Sequence, residues 1–590
     1  MKRYTLKPLC LAIGLALAGS ASAVTFDFSG TNFYMKFLDG NQRKAASGSI
    51  DTASGTDQGQ FTEMNLIFKA TISPKVEAGG RIQSRSSASY WTDFAGFGLE
   101  NSVGNNEVNH QRMMKLRGAY VELSPGYSWL SQVRIGTSDW GMFDPFTVGK
   151  IRYIDRDNYN GLYFKGPLME GSTWEFAKVS LPNYLQFNYG QGPVCCSTDA
   201  TQYNEGVYIG QVKVPVGPAK VIASYQSFID HTLGFTGNPF TGVNTTGIYK
   251  NNVVALKADG SVSDALGMRA AFYRSFSTPS TGSVGENWGN APRGGINDNA
   301  LKVDADFNPA DGLSFNFQYF NIGAGYFSMA AARRESDVLL TEGSESAWYN
   351  WGNALWSGGA TADYTQGAAS PKGRPGVPNG TQNGLTDNDY MDFNESPTES
   401  VIGWKGLTAV GKLDVANTPM SLEITRVGYS NNWQAYAATG PLFNVFPANQ
   451  DRSTNIFVFK LNHNLPVMGG LDTNLKIKRV DDKDKVNATL ATDDRSVLDN
   501  GVTLSVGNQL TNDLYGTLSY GRYIRDVKVG ANPFNNSKSI YSMKFAYNLP
   551  GFELGLLSQW IQGHGNPTEV VGADTKVIQY RMKTYAQVNF

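Results

Sequence analysis

The chain has 590 residues and a formal net charge of −1 at pH 7, with 41% hydrophobic and 17% charged residues. Its mean hydropathy is negative, and after residue 23 it has no run of about 20 apolar residues, the length that a membrane helix needs. This composition excludes a helical membrane protein, and the near-balance of charge gives no indication of nucleic-acid binding. A chain this polar crosses a membrane only as a β-barrel, whose strands expose apolar side chains at every second position.

The first 23 residues predict a secretion signal that is removed from the mature protein. Three basic residues occur within the first seven, an apolar run covers Leu9–Ala18, and the segment ends in Ala-Ser-Ala. A basic start, a short apolar centre and small residues at the cleavage site are typical of signal peptides. The apolar run is too short to span a bilayer. We therefore expect export, with residues 24–590 forming the mature protein.

Strand-like segments follow in pairs joined by brief turns, as in Phe61–Ile72 with Val76–Arg85 and Met114–Leu123 with Trp129–Thr137. The turns are mostly rich in Pro, Gly, Asn or Asp, and longer polar segments separate the pairs. No repeat of fixed period supports a soluble β-propeller or β-solenoid. Ten such hairpins, an opening strand near Thr25–Leu38 and a closing strand predict an all-β fold. It is a transmembrane antiparallel up-and-down β-barrel of about 22 strands, with short periplasmic turns and long extracellular loops.

The longest connection, residues 323–397, is the natural candidate to fold into the lumen. Loops of this length without secondary structure are usually functional or disordered. Its first part, Ser328–Leu340, predicts a short helix. Four aromatic residues follow, Trp348, Tyr349, Trp351 and Trp356. They either form a constriction that stacks on an apolar or sugar-like solute, or make the small core of an external lid.

An acidic group near the end of this connection comprises Asp387, Asp389, Asp392 and Glu395. Carboxylate oxygens are the ligands that Ca²⁺ prefers in proteins. The group lacks the spacing and the glycine of an EF-hand, so a solvated acidic loop is the preferred interpretation. No cofactor is predicted.

Basic residues alternate with apolar neighbours along many predicted strands. Arg or Lys on the lipid-facing side costs about 2–4 kcal/mol at the bilayer midplane, so the alternation points these side chains into the lumen. The candidate pore-lining residues are Arg81, Arg85, Lys115, Arg117, Arg134, Lys213, Lys460, Lys476, Lys478, Lys544, Arg581 and Lys583. A basic, water-filled pore favours anions. The alternative is that these bases pair with loop acids and only hydrate the wall.

The last stretch, Lys576–Phe590, predicts the closing strand. Every second residue from Ile578 is mostly apolar, and polar or charged residues lie between. With Tyr580, Val588 and the final Phe590, the stretch resembles the closing strand of Gram-negative outer-membrane β-barrels, which the barrel-assembly machinery reads. The resemblance extends in pattern over the mature chain and indicates no subfamily. It implies localisation in the outer membrane and contact with its lipid.

Catalytic motifs are missing from the sequence. Its four histidines are far apart, and it has no Gly-x-Ser-x-Gly, no His-Glu-x-x-His and no phosphate-binding glycine loop. No Cys-x-x-Cys-His occurs, so the chain attaches no c-type haem itself. Cys195 and Cys196 fall in a predicted outer loop, where oxidation is expected. We expect no enzymatic activity, although a Ser–His pair on the outer wall would leave no motif.

Two functions from different classes follow from the predicted barrel. One is a channel for passive or facilitated diffusion of small hydrophilic, anionic solutes. The other is a structural sheath around a periplasmic or lumenal partner protein, such as a multihaem cytochrome in a trans-outer-membrane electron conduit. Barrels of 22 strands are wide and often plugged, but strand character begins too soon after Ala23 for a plug domain. The missing plug favours the sheath, and a loop long enough to fill the pore favours the channel.

Overall fold

The computed structural model describes residues 24–44, 61–87, 112–148, 160–181, 205–230, 250–278, 297–323, 326, 328, 330–331, 338–342, 403–429, 451–467, 469–485, 495–565, 571–572 and 575–590. Within these residues the chain forms 23 β-strands and one 3₁₀ turn at Trp140–Met142. The strands are β1 Thr25–Asp27, β2 Asn32–Lys44, β3 Phe61–Ser73, β4 Val76–Ser87, β5 Arg112–Leu123, β6 Gln132–Thr137, β7 Asn160–Pro167, β8 Thr173–Leu181, β9 Glu205–Val216, β10 Ala219–Asp230, β11 Lys250–Ser263, β12 Leu266–Thr278, β13 Asn297–Ala310, β14 Leu313–Ile322, β15 Trp404–Val415, β16 Thr418–Tyr429, β17 Asp451–Leu465, β18 Leu471–Lys485, β19 Arg495–Gln509, β20 Leu514–Val529, β21 Asn532–Leu549, β22 Phe552–Gly565 and β23 Thr575–Asn589. No helix in the described part of the chain is long and apolar enough to cross a bilayer.

Strands β2 to β23 close into an antiparallel barrel of 22 strands. Each strand pairs with the next one in the chain, and β2 completes the ring by pairing with β23 on one side and β3 on the other. The short β1 adds a further pairing to β3, with Phe26 opposite Ala70. Closure leaves no sheet edge along the ring, as a hydrocarbon environment requires. The predicted fold class is confirmed.

The opening strand, predicted as one segment near Thr25–Leu38, is divided into β1 and β2. Gly30 has φ +89°, a left-handed conformation that breaks the strand. The Thr31 hydroxyl then donates to the carbonyl oxygen of Ile67 at 3.0 Å and accepts from the Ile67 amide at 3.1 Å. A side chain thus replaces the missing backbone pairing opposite β3.

The strand predicted over Trp129–Thr137 begins only at Gln132. The amide of Leu130 donates to the carbonyl oxygen of Tyr127 at 3.2 Å, so these residues form a tight turn instead of extended backbone. As a result β6 has only six residues. The chain therefore enters the wall three residues later than predicted and leaves it at Thr137, as predicted.

Two-residue turns set the register of several hairpins. Between β15 and β16, Ala416 and Asn417 have φ of +52° and +60°. Positive φ at both central residues is the geometry of a type I′ turn, whose twist matches that of the flanking strands. Val415 therefore lies directly opposite Thr418, and the pairing continues without a bulge to Trp404.

The outer face of the barrel is covered by exposed apolar side chains. Leu256, Phe272 and Leu301 occupy successive register positions on β11, β12 and β13 and are 54%, 47% and 38% exposed. An aromatic row crosses four neighbouring strands with ring centroids 5.1, 5.3 and 6.3 Å apart, formed by Tyr520, Tyr541, Trp560 and Tyr580. An apolar band with aromatic residues is the lipid-facing surface expected of a transmembrane barrel.

Gly136 lies where β5 and β6 approach each other most closely. Its φ is +112°, and a Cβ atom at this position would lie 2.1 Å from the carbonyl oxygen of Ala119. Both the backbone conformation and the space therefore require glycine.

Replacing Gly136 by alanine is expected to destabilise the barrel by about 3 kcal/mol, because strain at positive φ adds to a clash with backbone that cannot move aside. Urea unfolding of the detergent-solubilised protein, followed by tryptophan fluorescence, measures this change. The matched control is Gly210→Ala on β9, where a Cβ atom meets nothing within 4 Å. Equal destabilisation by both variants would contradict the prediction.

Candidate pore lining

The inner face of the barrel carries charged side chains, many of which form ion pairs with one another. They occupy the strand positions that alternate with the exposed apolar residues. Ion pairs on this face include Lys69–Glu77 at 2.6 Å, Lys213–Glu175 at 2.7 Å, Lys302–Asp304 at 3.3 Å and Arg525–Asp499 at 2.5 Å. The wall therefore offers hydrogen-bonding groups to water and to polar solutes.

Two of the predicted pore-lining arginines, Arg81 on β4 and Arg134 on β6, contact side chains of the preceding strands, β3 and β5. Arg81 donates to the side-chain oxygen of Asn65 from two nitrogens, at 3.1 and 2.8 Å. Arg134 pairs with Glu122 at 3.3 Å, and its guanidinium carbon lies 3.6 Å from the centre of the Tyr120 ring. Each arginine is thus held by partners on the wall itself.

Two predicted lysines lie on β21 and β23. Lys544 is 4.0 Å from Glu553, and both side chains are partly exposed. The Lys583 nitrogen lies 5.8 Å from the Tyr34 ring centre and 5.7 Å from that of Tyr585. Both lysines therefore lie on the inner face beside residues of the wall.

Several other predicted site residues fall outside the described part of the chain, and they stay predictions. The side chains of four predicted pore-lining residues on β4, β5 and β23 lie outside that part: Arg85, Lys115, Arg117 and Arg581. The same holds for the aromatic group (Trp348, Tyr349, Trp351, Trp356), the acidic group (Asp387, Asp389, Asp392, Glu395), Cys195, Cys196 and most of the helix predicted over Ser328–Leu340. Among the residues that are described, no group of three or more His, Cys, Asp or Glu is placed to hold a metal ion.

A first inner segment, residues 138–148, leaves the wall after β6 and crosses to β11 and β12. The Asp144 carboxylate accepts from the Lys257 ammonium at 2.6 Å and from the Tyr273 hydroxyl at 3.2 Å. It also accepts from the Phe146 amide at 2.8 Å, which fixes the turn that carries it. Asp144, Phe146 and Val148 are all at least 95% buried. One carboxylate thus ties this segment to wall strands several positions further around the ring.

A second inner segment follows β14 and comprises residues 326, 328, 330, 331 and 338–342. The Tyr326 hydroxyl donates to the carbonyl oxygen of Phe146 at 2.9 Å, and the Ser328 hydroxyl donates to that of Thr147 at 2.7 Å. Burial raises the pKa of Tyr326 well above its ordinary value, so this phenol remains a neutral donor. The two inner segments therefore form one body inside the barrel.

An apolar core joins this body to the wall. It contains residues of both segments and inward-facing residues of β11 to β16, namely Phe146, Val253, Ala255, Tyr273, Ala300, Phe320, Ile322, Tyr326, Val338, Leu339, Trp404 and Val427. The rings of Phe146 and Tyr273 stack with centroids 5.0 Å apart. Burial of this size removes a large apolar surface from water and holds the segments against one side of the lumen.

The second inner segment ends in a carboxylate surrounded by lysines. Glu342 accepts hydrogen bonds from Lys460 and, at 2.7 Å, from Lys476, and the Lys478 ammonium donates to its carbonyl oxygen at 3.3 Å. Burial opposes the charged form of Glu342, but the hydrogen bonds and charges of Lys460 and Lys476 outweigh it and lower the pKa of this carboxyl to about 2. The carboxylate is therefore charged throughout the physiological pH range.

Glu423 on β16 holds the backbone of the same residues. Its carboxylate accepts from the Thr341 hydroxyl at 2.8 Å and from the Glu342 amide at 3.0 Å. The Leu340 amide donates to the side chain of Gln318 at 2.7 Å. The position of Glu342 against the lysines is thus set by its neighbours on the wall.

Asp144, Lys257 and Glu342 were not identified from the sequence as functional residues. A usable signal was present for the first: residues 140–148, WGMFDPFTV, place five large apolar side chains inside a connection between strands. Such a stretch is too apolar for a solvated loop and indicates burial around its single acid. Glu342 carries no comparable signal.

Comparisons with known proteins relate the chain to solved structures only. No protein-family model matches it, and no curated protein matches its sequence. It is similar to a mutant ferric enterobactin receptor from Pseudomonas aeruginosa, with TM-score 0.40 and 9% identity over 96% of this chain and 82% of that one. It is also similar to the P pilus usher translocation pore, with TM-score 0.31 and 10% identity over 95% and 99% of the two chains. For an anion-selective porin from Comamonas acidovorans the TM-score is 0.27, with 8% identity over 96% and 100%.

The chain's own geometry gives its class. Its ring of strands is closed, its outer face is apolar, and its inner face carries ion pairs and two inner segments. A protein with these features can hydrogen-bond every strand backbone group within the bilayer, and it keeps its polar side chains inside the barrel. The described strands form a closed transmembrane β-barrel of 22 strands, and no family is assigned to the chain.

Proposed function

We propose that this barrel is a passive outer-membrane channel for small hydrophilic solutes, with a preference for anions, and that it is not an enzyme. The observation that supports the preference is the lysine cluster formed by Lys460, Lys476 and Lys478, which surrounds the single carboxylate of Glu342. Lys460 and Lys476 share the carboxylate of Glu342, and Lys478 donates to its main-chain carbonyl oxygen, so three basic side chains are concentrated at one place on the inner wall. Low-dielectric walls focus this field into the lumen and raise the local concentration of anions.

The two inner segments favour the channel over the sheath. They are bound to β11, β12 and β16 to β18, and they occupy lumenal space that a folded partner protein would need. A protein partner would have to displace the apolar core around Phe146. A small solute has only to pass beside it.

The barrel is proposed to be assembled into the outer membrane and to contact its lipid. The exposed apolar belt faces lipid, and β23 is the strand that the barrel-assembly machinery would read. The Phe590 amide donates to the carbonyl oxygen of Thr31 at 2.9 Å, while its side chain is 72% exposed at the rim. Val588 pairs with Phe33 and Phe552, so it joins the two neighbours of the closing strand.

Planar-bilayer recording with the purified protein tests the proposal. In a tenfold KCl gradient, we expect an ohmic current whose reversal potential corresponds to chloride being about threefold or more as permeable as potassium, because fixed positive charge attracts the anion. A reversal potential of the opposite sign would contradict the anion preference. The absence of current, together with a co-purifying haem protein, would contradict the channel and support the sheath.

A further inference from the structure

Two of the cluster lysines occupy an unusual register position. Lys460 on β17 lies directly opposite Lys476 on β18, on the inner face. Directly opposite residues on neighbouring antiparallel strands have Cβ atoms about 5 Å apart, and like charges there are destabilising. The same row continues through Ser421 to Lys412 on β15. An anion between the two ammonium groups removes the repulsion.

In this structure the anion is supplied by the protein itself. The two carboxylate oxygens of Glu342 bind one lysine each, Lys460 and Lys476. Glu342 belongs to the second inner segment and not to a wall strand, so its carboxylate reaches the lysines from inside the lumen. A carboxylate group thus already fits the space between these side chains.

The lysines are also accessible to solutes. Their side chains are 43% and 41% exposed for Lys460 and Lys476, while that of Glu342 is 24% exposed. Beside Lys460, and not lined by Lys476 or Lys478, lies a cavity of about 540 Å³, within the size range of small-molecule sites. Its lining includes Lys412, Lys460, Ser421, Asn462, Asp311 and Asp414.

We propose that Lys460, Lys476 and Lys478 form a binding site for small organic carboxylates, and that Glu342 occupies this site until such a solute displaces it. The inference rests on the proposed channel and narrows its solutes to carboxylic acids. The incoming carboxylate makes the same charge-assisted hydrogen bonds that Glu342 gives up. Lys460 and Lys476 therefore each keep a carboxylate partner when the solute replaces Glu342.

Succinate binding to the detergent-solubilised full chain, measured by titration calorimetry, tests the site without requiring an ion current. A tethered group competes with an effective concentration in the millimolar range. Glu342→Gln removes this competitor, and we expect succinate to bind about tenfold more tightly than to the wild type. Succinamide, which has no charge, is expected not to bind to either protein.

Two double variants separate a defined site from general positive charge. Adding Lys476→Gln to Glu342→Gln is expected to abolish the gain. Adding Lys544→Gln is expected to preserve it, because Lys544 lies on β21 with a similarly exposed side chain, 47%, and contacts Glu553 instead. Equal weakening by both substitutions, or no gain in Glu342→Gln itself, would overturn the proposal.

Hydrogen exchange in the wild-type protein provides a second measurement that needs no variant. Succinate, and not succinamide, is expected to accelerate exchange of the Leu340 and Glu342 amides, which donate to Gln318 and Glu423 in the resting state. Unchanged exchange at saturating succinate would rule out displacement. Tight binding without any current in the bilayer experiment would instead contradict the channel and leave the site in place.

Discussion

Replacing Asp144 by alanine is expected to release the first inner segment from the wall and raise the single-channel conductance. The substitution removes the carboxylate that binds Lys257 and Tyr273. With side chains only 17% and 6% exposed, the Lys257–Asp144 pair is largely buried, and loss of one partner from such a pair costs about 3 kcal/mol. That energy is a factor of about 100 in the local opening equilibrium.

Hydrogen exchange of the Thr147 and Val148 amides measures this opening, since both donate to the main-chain carbonyl oxygen of residue 144, which the substitution keeps. The control is Asp139→Asn in the same segment. The side chain of Asp139 is exposed and accepts a local hydrogen bond from the Gly141 amide at 3.1 Å, and asparagine is an equally good residue at the start of a helical turn. Unchanged exchange in the Asp144 variant would mean that apolar packing around Phe146 holds the segment without the ion pair.

The sequence was sufficient to predict the wall because the wall is built from local patterns. Alternation along residues such as Tyr541 to Phe545 reports which side chains face lipid, and each hairpin brings together residues close in the chain. Short-range signals missed only local details. The break at Gly30 and the turn at Leu130 depend on backbone conformations that alternation does not encode.

The interior was beyond the reach of such patterns because its contacts join distant residues. Asp144 meets Lys257 across 113 positions, and Glu342 meets Lys476 across 134. Nothing in the neighbourhood of Glu342 distinguishes it from the other acids of the long connection. Its partners are fixed only when the ring has closed and the segment has folded inward.

Replacing Asp499 by alanine is expected to destabilise the whole barrel by about 3–5 kcal/mol, the cost of leaving one member of a buried ion pair without its partner. Asp499 on β19 lies directly opposite Arg525 on β20. The carboxylate accepts two hydrogen bonds from the guanidinium, at 2.5 and 2.6 Å, and the two side chains are 5% and 4% exposed. The neighbouring strand β21 adds Lys538, a second basic side chain that is only 2% exposed, so the region around Arg525 is largely desolvated.

Urea unfolding of the protein in lipid vesicles measures the effect, with Asp481→Asn on β18 as the control. The Lys483–Asp481 pair is 60% and 31% exposed, and exposed pairs contribute at most about 1 kcal/mol. The double variant Asp499→Leu with Arg525→Met removes both charges and replaces them by apolar volume. It is expected to recover most of the lost stability, because the cost comes from a buried arginine that has lost its carboxylate and not from the absence of the pair. If the double variant is as unstable as Asp499→Ala, the pair itself contributes the stability, and the desolvation argument is wrong.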